Sequence, residues 1–304
     1  MYVNPYENFN KEGKWLKGNF HTHTSFDGCG TKDIEDVISA YKDAEYDVLS
    51  ITGHDKYIDG KAYEEKYGIR LINGYEYSSG EHMCCIGVKE LVKADTHQKV
   101  IDGCLDQGAI VVMNHPNWDA RQFGFNYIHW DWNELEKLQR YTGLEICNLG
   151  LERWGGGNGL ATDTWDNLLS KGRVIWGFAN DDMHYWEDFA NAWNMIYSEG
   201  DDEDSILSAI RAGAVYASTG IYLDEFDFDN DSKILRISAN LNKSHVNENE
   251  YKFIGENGSI LHEIIGPSAE YQLSGEELYV RVEVRSRCGA MLFTQPIYRK
   301  INIK

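Results

Sequence analysis

Five short segments carry residues able to do metal chemistry. His21-Thr22-His23 is followed by Asp27; His54 and Asp55 close the stretch ITGHD; Glu76 lies in INGYEYS with His82 six residues on; Asn114-His115-Pro116 follows AIVVM; and Asp181-Asp182-Met183-His184 follows RVIWGFAN. Along a strand, residues i and i+2 project from the same face. His21 with His23, and Asp182 with His184, can therefore each bring two ligands to one point. Imidazole and carboxylate together suit Zn, Mn or Fe better than Ca or Mg. Taken singly, these motifs are commonplace. A lone His after a strand is more often a hydrogen-bonded structural residue, and Asn-His-Pro can be no more than a turn.

Their placement along the chain separates the two readings. From residue 15 to about 220, short apolar runs alternate with amphipathic stretches. Strands are predicted at Trp15 to Phe20, Val48 to Ile51, Ile69 to Tyr77, Ala109 to Met113, Leu144 to Cys147, Val174 to Phe178 and Val215 to Ser218, with Ile86 and Val88 opening one more. Helical spacing over 32–45 (Ile34, Val37, Ile38, Tyr41) is preceded by Thr31 as an N-cap. Further helices are expected at 95–107, 132–140, 160–171 and 203–212. Such alternation implies an α/β domain with a mostly parallel sheet covered by helices, and about seven units favour a closed or nearly closed barrel. Six of the ten His residues (His21, His23, His54, His82, His115, His184), with Glu76 and Asp182, fall at or after the C-terminal ends of these strands. In parallel α/β barrels that is the face where functional loops converge. His97, His129, His245 and His262 do not share the placement. Clustering of this kind is expected of a multinuclear metal site and not of scattered histidines.

Beyond residue 221 the pattern changes to period two, as in Ile234 to Ser238 and Leu278 to Val284, separated by turn-rich pieces. The expected division is a metal-binding barrel over 1–220 and a small antiparallel β domain over 221–304. The chain has 304 residues, 29 Lys and Arg against 49 Asp and Glu, and a formal net charge of −20. That balance argues against binding duplex nucleic acid or an anionic membrane through a basic surface. No apolar run reaches the roughly 18 residues of a membrane span, and the N-terminus lacks a signal-peptide pattern. Six cysteines without a C-x-x-C pair read as reduced thiols of a cytoplasmic protein.

The set in this order resembles the motifs of the polymerase and histidinol phosphatase (PHP) superfamily: His21-x-His23, His54 in ITGHD, Glu76 in G-x-E-x-S, Asn-His-Pro, and Asp182-x-His184. The resemblance covers roughly residues 15–220 and implies a distorted (β/α)7 TIM-like barrel with two or three divalent metal ions at its C-terminal mouth. By match, His21, His23, Glu76 and Asp182 would hold one metal, and Glu76 would bridge to a second completed by His82 and His115. Asp27, His54 and His184 would form a third. Asp27 stands where many members have His, so a two-metal centre is also allowed. Glu145 in GLEICN matches a further motif and is expected to position other groups. The ending Phe293 to Tyr298 (FTQPIY) is similar to that of PHP proteins with a short β appendage, including carbaryl-hydrolase-like members.

The chemistry expected of such a centre is hydrolysis. A hydroxide bridged by two metals would attack phosphorus in line, with the metals neutralising the equatorial oxygens. Asp27 or His184 would assist the leaving oxygen. Lys56, Arg121 and Arg153 on the mouth loops are candidate contacts for a small phosphorylated substrate, and Trp118, Trp154 and Tyr185 candidate pocket walls. The same metal centre could instead cleave a carbamate, ester or amide, or serve a non-catalytic metal-binding module.

Overall fold

The computed structural model describes residues 1–7, 12–118, 129–154, 157–241 and 248–300, with the side chains of all of these except Glu152 and Trp154. The protein is mixed α/β, and the strands expected to form a barrel fall into two sheets. In the first, Lys14–Asn19 runs parallel to Val48–Leu49, which runs parallel to Arg70–Leu71. On its other side Lys14–Asn19 pairs antiparallel with Trp193–Ser198, and that strand pairs antiparallel with Val215–Ser218. In the second, Gly74–Tyr77, Met83–Ile86 and Ile110–Met113 are antiparallel, and Gly143–Asn148 and Trp176–Asn180 follow in parallel.

The expectation of a mostly parallel sheet is therefore corrected to a mixed one. Five residues join Gly74–Tyr77 to Met83–Ile86, too few for the crossover a parallel pair requires. The run Ile69 to Tyr77, expected as one strand, is two strands in different sheets. The chain changes sheet at Asn73-Gly74. Asn73 O accepts from the Gly87 N–H at 2.7 Å, its Oδ1 accepts from the Gly60 N–H at 2.8 Å, and a Cβ on Gly74 would lie 2.5 Å from Ser50 Oγ.

Helices cover these sheets because one face of each is apolar. Ile34–Asp43 buries Val37, Ile38 and Tyr41; its N-cap is Asp33, whose carboxylate accepts from Glu35 N–H, and not Thr31. Thr31 instead donates both its N–H and its hydroxyl to His184 O, at 3.0 and 2.8 Å. The other expected helices are present as His97–Asp106, Trp132–Lys137, Thr162–Ser170 and Glu203–Arg211, with Lys61–Tyr67 and Leu149–Trp154 in addition.

After residue 220, Ile221–Asp229, Ile234–Leu241 and Ser268–Gln272 form a three-stranded antiparallel sheet. Tyr279–Ser286, Met291–Thr294 and Ile297–Arg299 instead extend the first sheet, since Met291–Thr294 pairs with Val215–Ser218. The chain's start joins the same part, Tyr2–Val3 pairing with Ile297–Arg299. No helix among the described residues is long and apolar enough to cross a membrane.

The two sheets are stitched together at the strand ends that carry the histidines. Isolated bridges join Thr22 to Met183 and His54 to Glu76. Backbone hydrogen bonds run from Asp182 N to His21 O (3.1 Å), His23 N to Met183 O (2.9 Å) and Asp55 N to Glu76 O (2.7 Å). Ligand-bearing segments distant in sequence are thus fixed to one another through main chain, which positions side chains more rigidly than loop packing does.

Candidate metal centre

Glu76 lies fully buried in the strand Gly74–Tyr77, one residue before its end, and its two oxygens face different histidines. Oε1 lies 3.2 Å from His21 Nε2, 3.0 Å from His82 Nδ1 and 3.5 Å from His115 Nε2, and accepts from Asn114 Nδ2 at 2.7 Å. Oε2 lies 3.4 Å from His23 Nε2 and 3.0 Å from His54 Nδ1. Asp182 Oδ1 is 3.2 Å from His21 Nε2, 3.3 Å from His23 Nε2 and 3.6 Å from His184 Nδ1. All nine expected ligands are brought to this one place: six histidines around these two carboxylates, and Asp27 behind His23.

The rings are oriented from behind. His21 Nδ1 faces Glu145 Oε1 at 3.0 Å and His23 Nδ1 faces Asp27 Oδ2 at 2.7 Å. A carboxylate on Nδ1 holds the proton there and turns the Nε2 lone pair forward. The two Nε2 atoms then approach each other at 3.2 Å. Glu145 is itself held by His115 N–H (2.9 Å), Asn148 Nδ2 (2.9 Å) and Asn180 Nδ2 (3.1 Å). Both His115 (φ 29°) and Asp182 (φ 49°) have left-handed backbone, which costs energy in a non-glycine residue and recurs at functional sites.

The donor set fits a divalent cation. Glu76, Glu145 and Asp182 are almost completely buried, and buried carboxylates require compensating positive charge. Glu76 Oε2, His54 Nδ1 and His115 Nδ1 are buried with no hydrogen-bond partner, although the first two lie 3.0 Å apart. Ligand atoms around a tetrahedral zinc with bonds of roughly 2.0–2.1 Å stand about 3.3–3.4 Å from one another. His21 Nε2, His23 Nε2 and Asp182 Oδ1 are separated by 3.2–3.3 Å. The sets His21/Glu76/His115, His54/Glu76/His82 and His23/His54/His184 also bring their donor atoms within 4.8 Å.

Electrostatics without a cation show the same demand. Burial opposes protonation of His21, yet Asp182, Cys84, Glu76 and Glu145 hold it protonated well above the usual imidazole range. Burial likewise opposes charge on His23, but hydrogen bonds to Asp182 and Asp27 raise it to about 9. Glu76 is held well below the carboxylate range: burial pushes it up, and the charge of His21 with the bonds from His115, His21 and His82 outweighs burial.

The remaining expected residues divide. Asp27 faces His23 and not the forward side of the cluster; its oxygens also accept from the N–H groups of Cys29, Gly30 and His54. Burial raises it, and His23 with these N–H groups brings it down to about 2. Lys56 Nζ donates to Phe26 O and Asp27 O. Arg153 pairs with buried Asp188 and stands over the Tyr185 ring, and with Cys29, His184, Tyr185 and Glu187 it lines a cleft of about 450 Å³ beside the cluster. Trp118 lies 5.3 Å from the His115 ring. Arg121 and the Trp154 side chain lie outside the described residues, as does His245.

Sequence reasoning set His129 aside, and the structure corrects this. It is buried, its Nε2 accepts from the His82 N–H at 2.7 Å, and its ring lies 4.7 Å from His115. Burial, with His115 and His82 nearby, lowers it to about 2, so it stays neutral and able to accept. It follows none of the strands expected from the sequence, so strand-end position could not find it. Cys29, 3.0 Å from His184 Nε2, was also missed.

No protein-family model matches this chain, and no curated protein sequence matches it. Solved structures are similar. A two-domain protein containing a predicted PHP-like metal-dependent phosphoesterase, from Bacteroides vulgatus, aligns over 94% of this chain and 96% of its own, with 16% identity and a TM-score of 0.56. A Bifidobacterium adolescentis protein, named provisionally as a metal-dependent phosphoesterase, aligns over 55% of this chain and 87% of its own, with 14% identity and a TM-score of 0.38. The first likeness spans nearly both chains and is one of fold: this chain shares the fold of that two-domain protein.

Proposed function

We propose that the protein is a metal-dependent phosphoesterase that cleaves a small phosphate ester, acting in the cytoplasm on a small-molecule substrate. The observation that supports this most directly is the buried carboxylate of Glu76, whose two oxygens face two sets of histidines. That is the arrangement expected of a bridged centre holding two or three Zn, Mn or Fe ions. Residues 1–220 are read as the distorted (β/α)7 barrel that carries it and 221–304 as the β-rich part beside it. The phosphoesterase named in the Bacteroides protein points the same way.

His21, His23, Glu76 and Asp182 would hold the first ion, and Glu76, His82 and His115 the second. Bound cations would neutralise phosphoryl charge and lower the pKa of an attacking water. The chain's own contributions are positional. Glu145 and Asp27 hold the His21 and His23 rings so that the donor atoms converge before substrate arrives, which removes reorganisation from the reaction. Arg153, stacked over Tyr185 at the cleft, is placed to receive an anionic ester, with Lys56 on the neighbouring loop and Arg121 as a further contact. His184 presents its ring to the same cleft, the position for handling charge on the leaving oxygen, while Asp27 acts there through His23.

The test is a substrate panel on protein supplied with zinc or manganese: an aryl phosphate, the matching aryl ester and an aryl carbamate. Phosphate release from the first, lost in the double variant His21→Ala/His23→Ala, is the expected result. Turnover of the ester or carbamate with none of any phosphate would replace this reading with a carboxyl-ester or carbamate hydrolase. Metal-dependent stabilisation with no turnover of any substrate would replace it with a binding module.

A further inference from the structure

We propose that the thiol of Cys29 is a metal ligand, which with His184 and His54 makes a third, sulfur-containing position beside the ions that Glu76 would hold. The inference rests on reading this cluster as a metal centre and adds a donor which that reading does not contain. Cys29 Sγ lies 3.0 Å from His184 Nε2. The His184 ring stacks on His23 with centroids 4.2 Å apart, and His23 lies 4.7 Å from His54. The three imidazoles already offer donor atoms within 4.8 Å of one another.

Two further observations favour sulfur as the next donor. The carboxylate expected there, Asp27, is engaged elsewhere: Oδ2 by His23 Nδ1 and the His54 N–H, Oδ1 by the N–H groups of Cys29 and Gly30. Glu76 Oε2, 3.0 Å from His54 Nδ1 and 3.4 Å from His23 Nε2, is fully buried without a hydrogen-bond partner, a group that a cation would satisfy. The turn that carries Cys29 is also built for one position. Gly28 has φ +83°, and a Cβ on Gly30 would come within 2.5 Å of Thr24 N. Thr31 then fastens the far end of the turn to His184 O through two hydrogen bonds.

On binding, the S–H bond breaks, its proton passes to the buffer, and the sulfur lone pair forms the bond to the metal. A thiolate among imidazoles selects zinc or iron over manganese at this position.

Cobalt(II) loaded into the full chain tests the assignment, because a thiolate ligand adds a near-ultraviolet charge-transfer band to the visible ligand-field bands. Wild type should show both. Cys29→Ser should lose the charge-transfer band, keep the ligand-field bands of the remaining ions, and bind about one metal fewer per chain; Cys84→Ser should keep the band. Ligand-field bands without charge transfer in wild type, or a charge-transfer band unchanged in Cys29→Ser, would overturn the assignment while leaving the metal centre standing. No cobalt absorption at all would overturn both. A measurement on wild type needs no variant: zinc should slow alkylation of Cys29 by about tenfold or more while the other exposed thiol, Cys288, reacts unchanged. Equal Cys29 rates with and without zinc would also overturn it.

Discussion

Glu145 shares its two oxygens among four groups: the His21 ring, the His115 N–H, and the amides of Asn148 and Asn180. Replacing it with Gln puts an amide where a carboxylate fixes the His21 proton, with no large change of volume. Glu145→Gln should therefore weaken metal binding by about 10–100-fold, as measured by competition with a chelator, with the far-ultraviolet circular dichroism unchanged. Unchanged affinity would remove Glu145 from the centre's support. At this scale much of the site was legible, because the i and i+2 spacing of His21/His23 and Asp182/His184 survives any detail of the sheet. The same spacing separates Asp182 from Asp181. Asp181 turns away, accepts from Tyr41, Asn19 and the N–H groups of 190–192, and is pushed up to about 6 by burial despite them. Cys29 was not legible, since a residue carried on a turn has no periodicity to mark it, and His129 was not, since it stands at the end of no expected strand.

Short elements and their turns decide where the strands end, and these were harder to read. The apolar run from Ile69 to Tyr77 gives no sign of its change of sheet, because both halves are buried and period alone cannot see a kink. The turn at Ser274-Gly275 shows how an element end carries charge. Glu277 accepts from the N–H groups of Ser274 and Gly275 and from the hydroxyls of Tyr2 and Tyr271. Burial pushes Glu277 up, but the hydrogen bonds from Ser274 and from the backbone N–H groups of the turn bring it down to about 2 from an ordinary value of 4.5. A depressed carboxylate stabilises the fold above its unfolded value and loses that contribution as pH falls from about 4.5 towards 2. Wild type should thus lose about 1–2 kcal/mol across this window that Glu277→Gln does not lose, after allowance for solvent screening. Parallel melting curves between pH 2 and 6 would show it, and identical slopes for the two proteins would contradict it.

The whole molecule is held together across the expected boundary at residue 220. The first sheet runs through both parts, and Gln295 of the FTQPIY motif makes two hydrogen bonds of 2.8 Å to Gly177 in the strand Trp176–Asn180. Buried Arg281 pairs with Asp166 of the helix Thr162–Ser170 at 2.7 and 2.8 Å, and Tyr279 donates to the same carboxylate. Asp166→Ala would leave the guanidinium buried with only Glu283, at 3.5 Å, as a carboxylate partner. It should cost about 3–5 kcal/mol in urea unfolding; a loss under about 1 kcal/mol would show that the pair does not couple the two parts. Charge at this scale takes on a different meaning once the site is known. Part of the formal −20 lies in Glu76, Glu145 and Asp182 inside the cluster, where two or three divalent cations would add roughly four to six positive charges. An acidic chain can then attract an anionic ester at one locally positive mouth. The central claim is that these residues form a multinuclear metal centre, and elemental analysis of the purified protein tests it most directly. Two or three equivalents of Zn, Mn or Fe per chain, falling below one in His21→Ala/His23→Ala, is the predicted result; less than one equivalent in wild type after reconstitution with each metal would contradict it.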